Sequence, residues 1–400
     1  MDTVRTRIAP SPSGFLHIGT AKTALYNWLI ARKHGGQFVL RLEDTDAART
    51  EEQYVQGMLE GFRWLGIRWD EGPAFGDESA RGDFGPYRQS QRRDLHQKAA
   101  YQLLESGHAY KCFHTSEELE KLRPNGEKVR EVGKWRNATT EDIAAMGDAP
   151  FAIRFRVPEG ETIVHDLIQG DVRVNNDEID DFVILKPNGD PIFHLAVVVD
   201  DITMKISHII RGDDHLTNAT RHVMLFNALG APVPQLAHHS LVHDVEGHKY
   251  SKRMHGANVL DWRDDGYLPE TMINYVALLG WSPPEENREF FTLEEMIELF
   301  TLERLNKAPA RFDRKKLDWL NGQHIRRLTV EDLRDRLIPI LEKAGLDTTT
   351  KSQAWLTKLA AICQEKLPTL NDIVRQADFF FNEVTGYDPE GEKKQFKKED

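Results

Sequence analysis

Two cysteines in 400 residues, Cys112 and Cys363, are too few for a disulfide framework of the secreted type. Long apolar runs are also missing, and none approaches the ~20 residues that a membrane-spanning helix needs. The opening stretch, MDTVRTRIAP, has no apolar core of a signal peptide and leads straight into a strand pattern. Neither internal repeats nor long low-complexity linkers interrupt the chain. Basic residues are outnumbered, 52 Lys and Arg against 64 Asp and Glu, for a net charge of −12. That balance argues mildly against a nucleic-acid binder, but whole-chain charge is a weak test because binding faces are local. A cytoplasmic protein with sizeable cores is the simple reading, and its length suggests roughly two to four structural units.

The most informative stretch runs from Arg7 to Thr20, RIAPSPSGFLHIGT. Val4, Thr6 and Ile8 alternate with Arg5 and Arg7, as in a half-buried strand. Pro10, Ser11, Pro12, Ser13 and Gly14 force the backbone into a loop. Ala21, Ala24, Leu25, Trp28 and Leu29 then mark one face of a helix that should end at Gly35-Gly36. His17, Gly19 and Thr20 therefore fall at a strand–loop–helix junction. Free amides and the positive end of the helix dipole suit an anion there, most naturally a nucleotide phosphate. A lone histidine near a helix start is more often structural, so a second feature is needed.

Downstream, Gln37 to Leu42 reads as a strand that delivers Glu43, Asp44, Thr45 and Asp46 to its C-terminal end, where open α/β sheets place ligands. Thr45 or Asp46 is expected to cap the next helix and Glu43 to meet a ligand. A helix follows from Ser90 to Gly107, with Ala99, Ala100, Leu103 and Leu104 as its buried stripe. Residues 112–190 look like a separate mixed α/β insertion with runs such as FAIRFRV and DFVILK. Cys112 and His114 could begin a zinc site, but no second pair follows and four ligands are normally required, so no metal site is expected. Ile192 to Val199 reads as a strand buried on both faces and ending at Asp200-Asp201. Ser207 to Ile210 feeds Arg211-Gly212-Asp213-Asp214, a helix spans Thr217 to Leu229, and Leu236 to Val242 is another strand. This alternation predicts an α/β fold, a split doubly wound parallel sheet of the Rossmann-like kind, carrying the insertion.

The second feature is GHKYSKR, residues 247–253, a basic loop after a core strand. Its two lysines, arginine and serine suit a polyphosphate, since a lysine is a mobile point charge able to follow a departing group. Beyond it the patterns are helical: 267–281, 293–302, a basic stretch 311–327, then 330–344, 353–367 and 370–381. The basic clusters around Arg88, Arg311 and Arg326 each read, taken alone, as solvated helix faces.

HIGT at 17–20 with KYSKR at 249–253 resembles the paired HIGH and KMSKS signatures of class I aminoacyl-tRNA synthetases. RIAPSPSG, RLEDTD, GPYRQSQR, VVVDD, IIRGDDH and DDGYLPE closely resemble the bacterial glutamyl branch, from about Thr6 to Ile325. The resemblance implies ATP with Mg²⁺, L-glutamate and tRNA-Glu as reactants and a monomeric ligase. It implies His17, Thr20, Lys249 and Lys252 as catalytic residues. His17, Gly19, Thr20, Asp214, His215, Leu241, Val242, Lys249, Ser251, Lys252 and Arg253 would bind ATP. Arg7 and Arg211 would face glutamate's carboxylates, and Ser11 and Glu43 its amino group. Phe193 stands where the family usually has tyrosine, with His194 as a possible replacement donor. Arg88, Arg92, Arg311, Arg314, Lys315, Lys316, Arg326 and Arg327 become the expected tRNA contacts.

The implied domains are a catalytic first half at 1–111, an acceptor-stem-binding insertion at 112–190 and a catalytic second half at 191–254. A helical stem-contact domain at 255–329 and a shortened or truncated helical anticodon-binding domain at 330–400 complete the all-helical C-terminal part. Two alternatives stay open, a form that also charges tRNA-Gln and a glutaminyl-tRNA synthetase. The latter's anticodon region is built of β-barrels, unlike the helical patterns here.

Overall fold

The strand expected near the start forms β1 (Arg5–Ile8) and pairs in parallel with β2 (Gln37–Leu40), Arg5 opposite Gln37 and Ile8 opposite Leu40. Parallel neighbours need a crossover, supplied by helix α1 (Ile18–Lys33). The return to β2 uses two glycines. Gly35 takes φ +61, and a Cβ on Gly36 would lie 2.1 Å from the Val4 carbonyl oxygen. One apolar face is the expectation for α1, but the fold buries it on most sides, including Lys22 and Asn27.

The computed structural model describes residues 3–45, 51–122, 133–250, 258–383 and 386. Two units emerge, the first comprising Met1–Val259, Val276–Arg288 and Leu293–Phe312, the second Leu260–Tyr275, Glu289–Thr292 and Asp313–Asp400.

In the first unit, α2 (Glu52–Trp64) turns Val55, Met58, Leu59 and Phe62 inward. Neither Thr45 nor Asp46 is its N-cap: that position is Glu51, without a side-chain cap, and Asp46 lies outside the described residues. Helix α3 (Arg93–Glu105) buries Ala99, Ala100 and Leu103 as its periodicity predicts. Strand β3 (Ala109–Cys112), the short helices α4 (Ser116–Leu122) and α5 (Thr140–Ala144), and β4 (Ala152–Phe155) follow. The β5 (Glu161–Asp166) and β6 (Gly170–Asn175) hairpin precedes β7 (Phe182–Leu185). One antiparallel sheet has the order β3-β4-β7.

The run at Ile192–Val199 corrects the sequence reading. It belongs to a helix, α6 (Phe193–Thr203), not a strand. A continuous apolar run fits either element when every side is covered. Leu195, Val198 and Val199 enter one core with Leu103, Phe155, Val164, Ile209 and Leu225. That same core contains insertion residues, so the 112–190 segment is packed into the first unit and is not a freestanding piece. Asp200 and Asp201, expected at a strand end, are turned into the interior by the helix.

Strand β8 (His208–Gly212), helix α7 (Leu216–Ala228) and β9 (Gln235–His239) form a second parallel crossover, His208 opposite Gln235 and Gly212 opposite His239. The expected strand to Val242 breaks at Ser240. Its remainder, β10 (Val242–His243), pairs with β11 (Ala310–Arg311). The sheet order is β6-β5-β9-β8, with the hairpin joined at Asp166 opposite Leu236. Ser207 donates its amide to the Arg5 carbonyl at 2.9 Å, which sets β1 beside β8.

The second unit is helical. α11 (Arg314–Arg327) is capped by Asp313, α12 (Val330–Lys343) by Thr329 and α13 (Gln353–Cys363) by Ser352, before α14 (Ile373–Phe381). Most of α8 (Val259–Asp264) and of α9 (Pro269–Leu278) belongs to this unit too, whereas α10 (Leu293–Leu299) belongs to the first unit. Ile325, Leu333, Leu337, Leu359 and Ile373 share the core of the second unit. Among the described residues, no helix is long and apolar enough to cross a membrane.

Candidate active site

The C-terminal ends of β1, β8 and β9 deliver Arg7, Arg211 and the Ser240–Val242 turn to one cleft of about 530 Å³. Arg7, Ser11, His17, Gly19, Thr20, Glu43, Phe193, Arg211, Asp214, His215, Leu241, Val242 and Lys249 all line it. Ser251, Lys252 and Arg253 lie outside the described residues.

At one end of the cleft, His17 is the N-cap of α1, and its Nδ1 accepts the Gly19 amide at 3.0 Å. That bond assigns Nδ1 as acceptor and leaves Nε2 as the proton-bearing atom of a neutral ring. Glycine at 19 matters because a Cβ there would stand 3.2 Å from His17 Nδ1. Lys249 Nζ donates to Asp214 Oδ2 at 3.0 Å, and this pair is largely exposed. Burial pushes the Asp214 carboxyl up, but the Lys249 bond and nearby charge outweigh it and hold it low. Lys22, on α1 and buried, donates to the Ser240 carbonyl at 2.7 Å. Burial lowers its ammonium to about 7 against the opposing pull of Asp213.

At the other end, charges form a buried chain. Arg7 donates to Asp201 at 3.3 and 3.4 Å, Arg41 reaches the same carboxylate at 2.7 Å, and Arg41 also reaches Glu43 at 3.2 Å. Burial raises Asp201, yet Arg41 and Arg7 more than offset this and hold it below the usual carboxylate range. Glu43 goes the other way, because burial exceeds the help it receives from Arg41 and Arg7.

Arg211 is anchored differently. Its Nε donates to His238 Nε2 at 3.0 Å, and its two Nη atoms face His222 Nδ1 at 3.4 Å. Burial, then the charge of Arg7, lowers it to about 10. Phe193 covers this corner, 5.5 Å from the His194 ring and 5.8 Å from His222. His194 turns its Nδ1 to His222 Nε2 at 3.2 Å and does not itself line the cleft. Burial, then Arg221 and Arg211, lowers His194 to about 4.

Arg41, His222 and His238 are the important residues that the sequence did not single out. Arg41 had a signal, since it precedes Glu43 in RLEDTD. The histidines had none, because their contacts to Arg211 span 11 and 27 residues.

The expected polyanion contacts divide. Arg92 is a correction: its guanidinium is buried, bonded to Asp200 at 2.6 Å and to the Phe84 and Pro86 carbonyls, so it offers no surface to a phosphate. Arg88 is engaged by Glu52 at 2.9 Å, whereas Arg311 is exposed. On α11, Arg314 stacks 4.5 Å from the Trp262 ring, Lys316 pairs with Glu289, and Arg327 lies 3.7 Å over Phe290. Lys315 is exposed and Arg326 half-buried, its guanidinium alongside Gly322.

Cys112 is buried beside Tyr110 and Trp135, and His114 lies 3.6 Å from Glu118. Asp244, Glu246 and His248 place possible ligand atoms within 4.8 Å of one another, an arrangement common in exposed acidic turns without an ion.

A parallel-sheet cleft lined by both a helix start and buried arginines is an α/β site with the chemistry to take anionic guests. Residues 3–319 match the family described as tRNA synthetases class I (E and Q), catalytic domain, and residues 330–400 match an anticodon binding domain. The chain is 45% identical over 407 residues to a glutamate–tRNA ligase 1 of Caldanaerobacter subterraneus subsp. tengcongensis, covering 100% of this chain and 82% of the relative. A glutamate–tRNA ligase of Aquifex aeolicus is 44% identical over 392 residues, 96% of this chain and 80% of its own length. A crystal structure of a glutamate tRNA ligase from Elizabethkingia meningosepticum, in complex with its amino acid, has a TM-score of 0.88 at 34% identity over 98% of this chain and 83% of that one. The chain belongs to the class I tRNA synthetases of the glutamate and glutamine group.

Proposed function

We propose that this chain is a glutamate–tRNA ligase acting on L-glutamate, ATP and tRNA-Glu, as a monomer in the cytoplasm. The observation that carries the reading is one cleft lined by the α1 start together with Arg7, Glu43 and Arg211, with buried Asp201 and Arg41 linking Arg7 to Glu43. Glutamate has two carboxylates and one ammonium, so its site needs fixed guanidinium forks and at least one carboxylate. Arg7 and Arg211 supply the forks, while Ser11 and Glu43 receive the amino group.

The α-carboxylate of glutamate attacks the ATP α-phosphorus, forming an O–P bond as pyrophosphate leaves. The terminal ribose hydroxyl of the tRNA then attacks the activated carbonyl, and AMP departs. No covalent enzyme intermediate is needed; positioning and charge stabilisation carry the rate. His17, Gly19 and Thr20 bind phosphate at the helix start, and Leu241 and Val242 flank the adenosine with Asp214 and His215. Lys249 exchanges Asp214 for a phosphate, and Ser251, Lys252 and Arg253 complete the phosphate wall. Mg²⁺ would ride on the triphosphate and share its charge, since the buried cleft carboxylate Glu43 is already paired with Arg41. Activation requires bound tRNA, which Arg88, Arg311, Arg314, Lys315, Lys316, Arg326 and Arg327 help to hold.

Charging assays with glutamate and glutamine on tRNA-Glu and tRNA-Gln test the reading. Glutamate on tRNA-Glu is the expected product, and glutamate on both tRNAs would identify a non-discriminating enzyme. Glutamine as the preferred amino acid would overturn the assignment.

A further inference from the structure

Most buried arginines of the first unit are matched by carboxylates. Arg5 pairs with Glu71, Arg7 and Arg41 with Asp201, and Arg92 with Asp200. Arg211 is buried too, yet among the described residues its side-chain partners are His238, His222 and the His215 carbonyl, at 3.0, 3.4 and 3.4 Å. An imidazole nitrogen that accepts from a guanidinium carries no proton, so both contacting atoms are lone pairs. His238 passes its other nitrogen to Asp166 at 2.6 Å, and His222 passes its own to His194 at 3.2 Å. Two uncharged acceptors thus hold the fork, and among the described residues no carboxylate touches it, although Asp201, Glu43 and Asp166 stand near enough to offset part of its charge where it lines the cleft.

We propose that His222 is a specificity-determining positioning residue for the amino-acid substrate: it holds Arg211 as a neutral acceptor and so reserves that charge for a substrate carboxylate. This rests on the glutamate reading above. His222 itself does not line the cleft; it acts through Arg211. A carboxylate guest satisfies the guanidinium in both charge and geometry, whereas the amide of glutamine satisfies neither fully. A carboxylate placed at 222 would instead pair with Arg211 internally, and the guest would meet a neutralised wall.

The test uses the full chain and three variants, His222→Glu, His222→Gln and His222→Phe, each first compared with the parent by thermal melting. Aminoacylation then gives separate KM values for glutamate, ATP and tRNA. His222→Glu should raise KM for glutamate on the order of 10²-fold while KM for ATP stays near the parent value. His222→Gln, which restores a neutral acceptor, should recover most of that loss. If the Glu variant does not fold, Phe against Gln decides, because Phe fills the space without an acceptor and should raise KM for glutamate roughly 10-fold. A folded Glu variant with parental KM for glutamate, or equal KM in Phe and Gln variants, overturns the proposal. Equal losses toward glutamate and ATP would mean a purely structural role and overturn it as well. A parent chain that charges no glutamate onto either tRNA rejects the enzyme reading itself, and this inference falls with it.

Discussion

Arg41 and Asp201 meet at 2.7 Å with neither side chain exposed to solvent. Their pairing is the centre of the site's framework, since Arg41 also steadies Glu43 and Asp201 also steadies Arg7. Asp201→Asn leaves two buried guanidiniums facing an amide. Removing one partner of a buried pair costs about 3–5 kcal/mol, so urea unfolding should show a loss of that size. An unchanged midpoint would mean that water or Glu43 already satisfies Arg41.

Acid should destabilise the first unit in two stages. His194 is lowered to about 4 and His239 to about 3, and His222 and His238 are lowered as well, burial being the chief cause in each. Unfolded histidines protonate near ~6.5, so below that pH the unfolded chain takes up protons that the folded chain refuses. Stability therefore falls as pH drops from about 6.5 toward 4. Asp166, Asp200 and Asp201 are depressed and extend the loss to lower pH, while Glu43, raised by burial, opposes it as a single group. Thermal midpoints measured from pH 7 to pH 4 should decline before the carboxylate range is reached; a flat profile to pH 5 contradicts the histidine part.

Gly19→Ala separates stability from activity. Alanine is the better helix former, by roughly 0.8–1.0 kcal/mol, so the fold should not suffer. Its methyl crowds His17 Nδ1, displacing the ring, and kcat/KM for ATP should fall roughly 10–100-fold. Wild-type kinetics in a folded variant would show that the ring tolerates the shift.

Arg92 and Arg326 should respond in opposite ways. Arg92→Met takes the 2.6 Å partner from Asp200, leaving it Gln89, His96 and Arg41, and takes the donor from the Phe84 and Pro86 carbonyls, so it should unfold the chain earlier while leaving the salt dependence of tRNA binding alone. Arg326→Gln should leave stability within about 0.5 kcal/mol and reduce the salt slope of tRNA binding by about 1. Filter binding across a salt series, read beside melting curves, checks both.

Lys252→Ala should lower kcat on the order of 10²–10³-fold with little change in glutamate binding, as expected for a cation acting on departing pyrophosphate. ATP–pyrophosphate exchange in the presence of tRNA is the measurement, and an unchanged rate removes Lys252 from the mechanism.

The strand, loop and helix start of the first stretch are legible because their signals are local. A strand, a proline-rich loop, a histidine at the N-cap and glycines at the helix end all fall within Arg5–Gly36, and each is set by backbone preference. The run Ile192 to Val199 reads as a strand, although it lies in a helix, because a fully covered helix and a fully covered strand share one apolar pattern. The acids that follow, Asp200 and Asp201, are visible in the sequence, but their direction depends on the element type. Asp201 meets Arg7 and Arg41 across 194 and 160 residues. Pairings of that range leave no periodicity to read. Arg92 failed for a related reason: a surface cluster and a buried ion pair look alike until Asp200 is in place.

The hairpin β5–β6 joins the catalytic sheet at Asp166, the residue that also holds His238 and through it Arg211. One residue is therefore both the seam of the sheet and the support of the histidine that holds Arg211. Anyone exchanging residues 161–175 for another module would have to carry an acid at position 166. Without it, the graft could close the sheet and still leave Arg211 without the support that reaches it through His238.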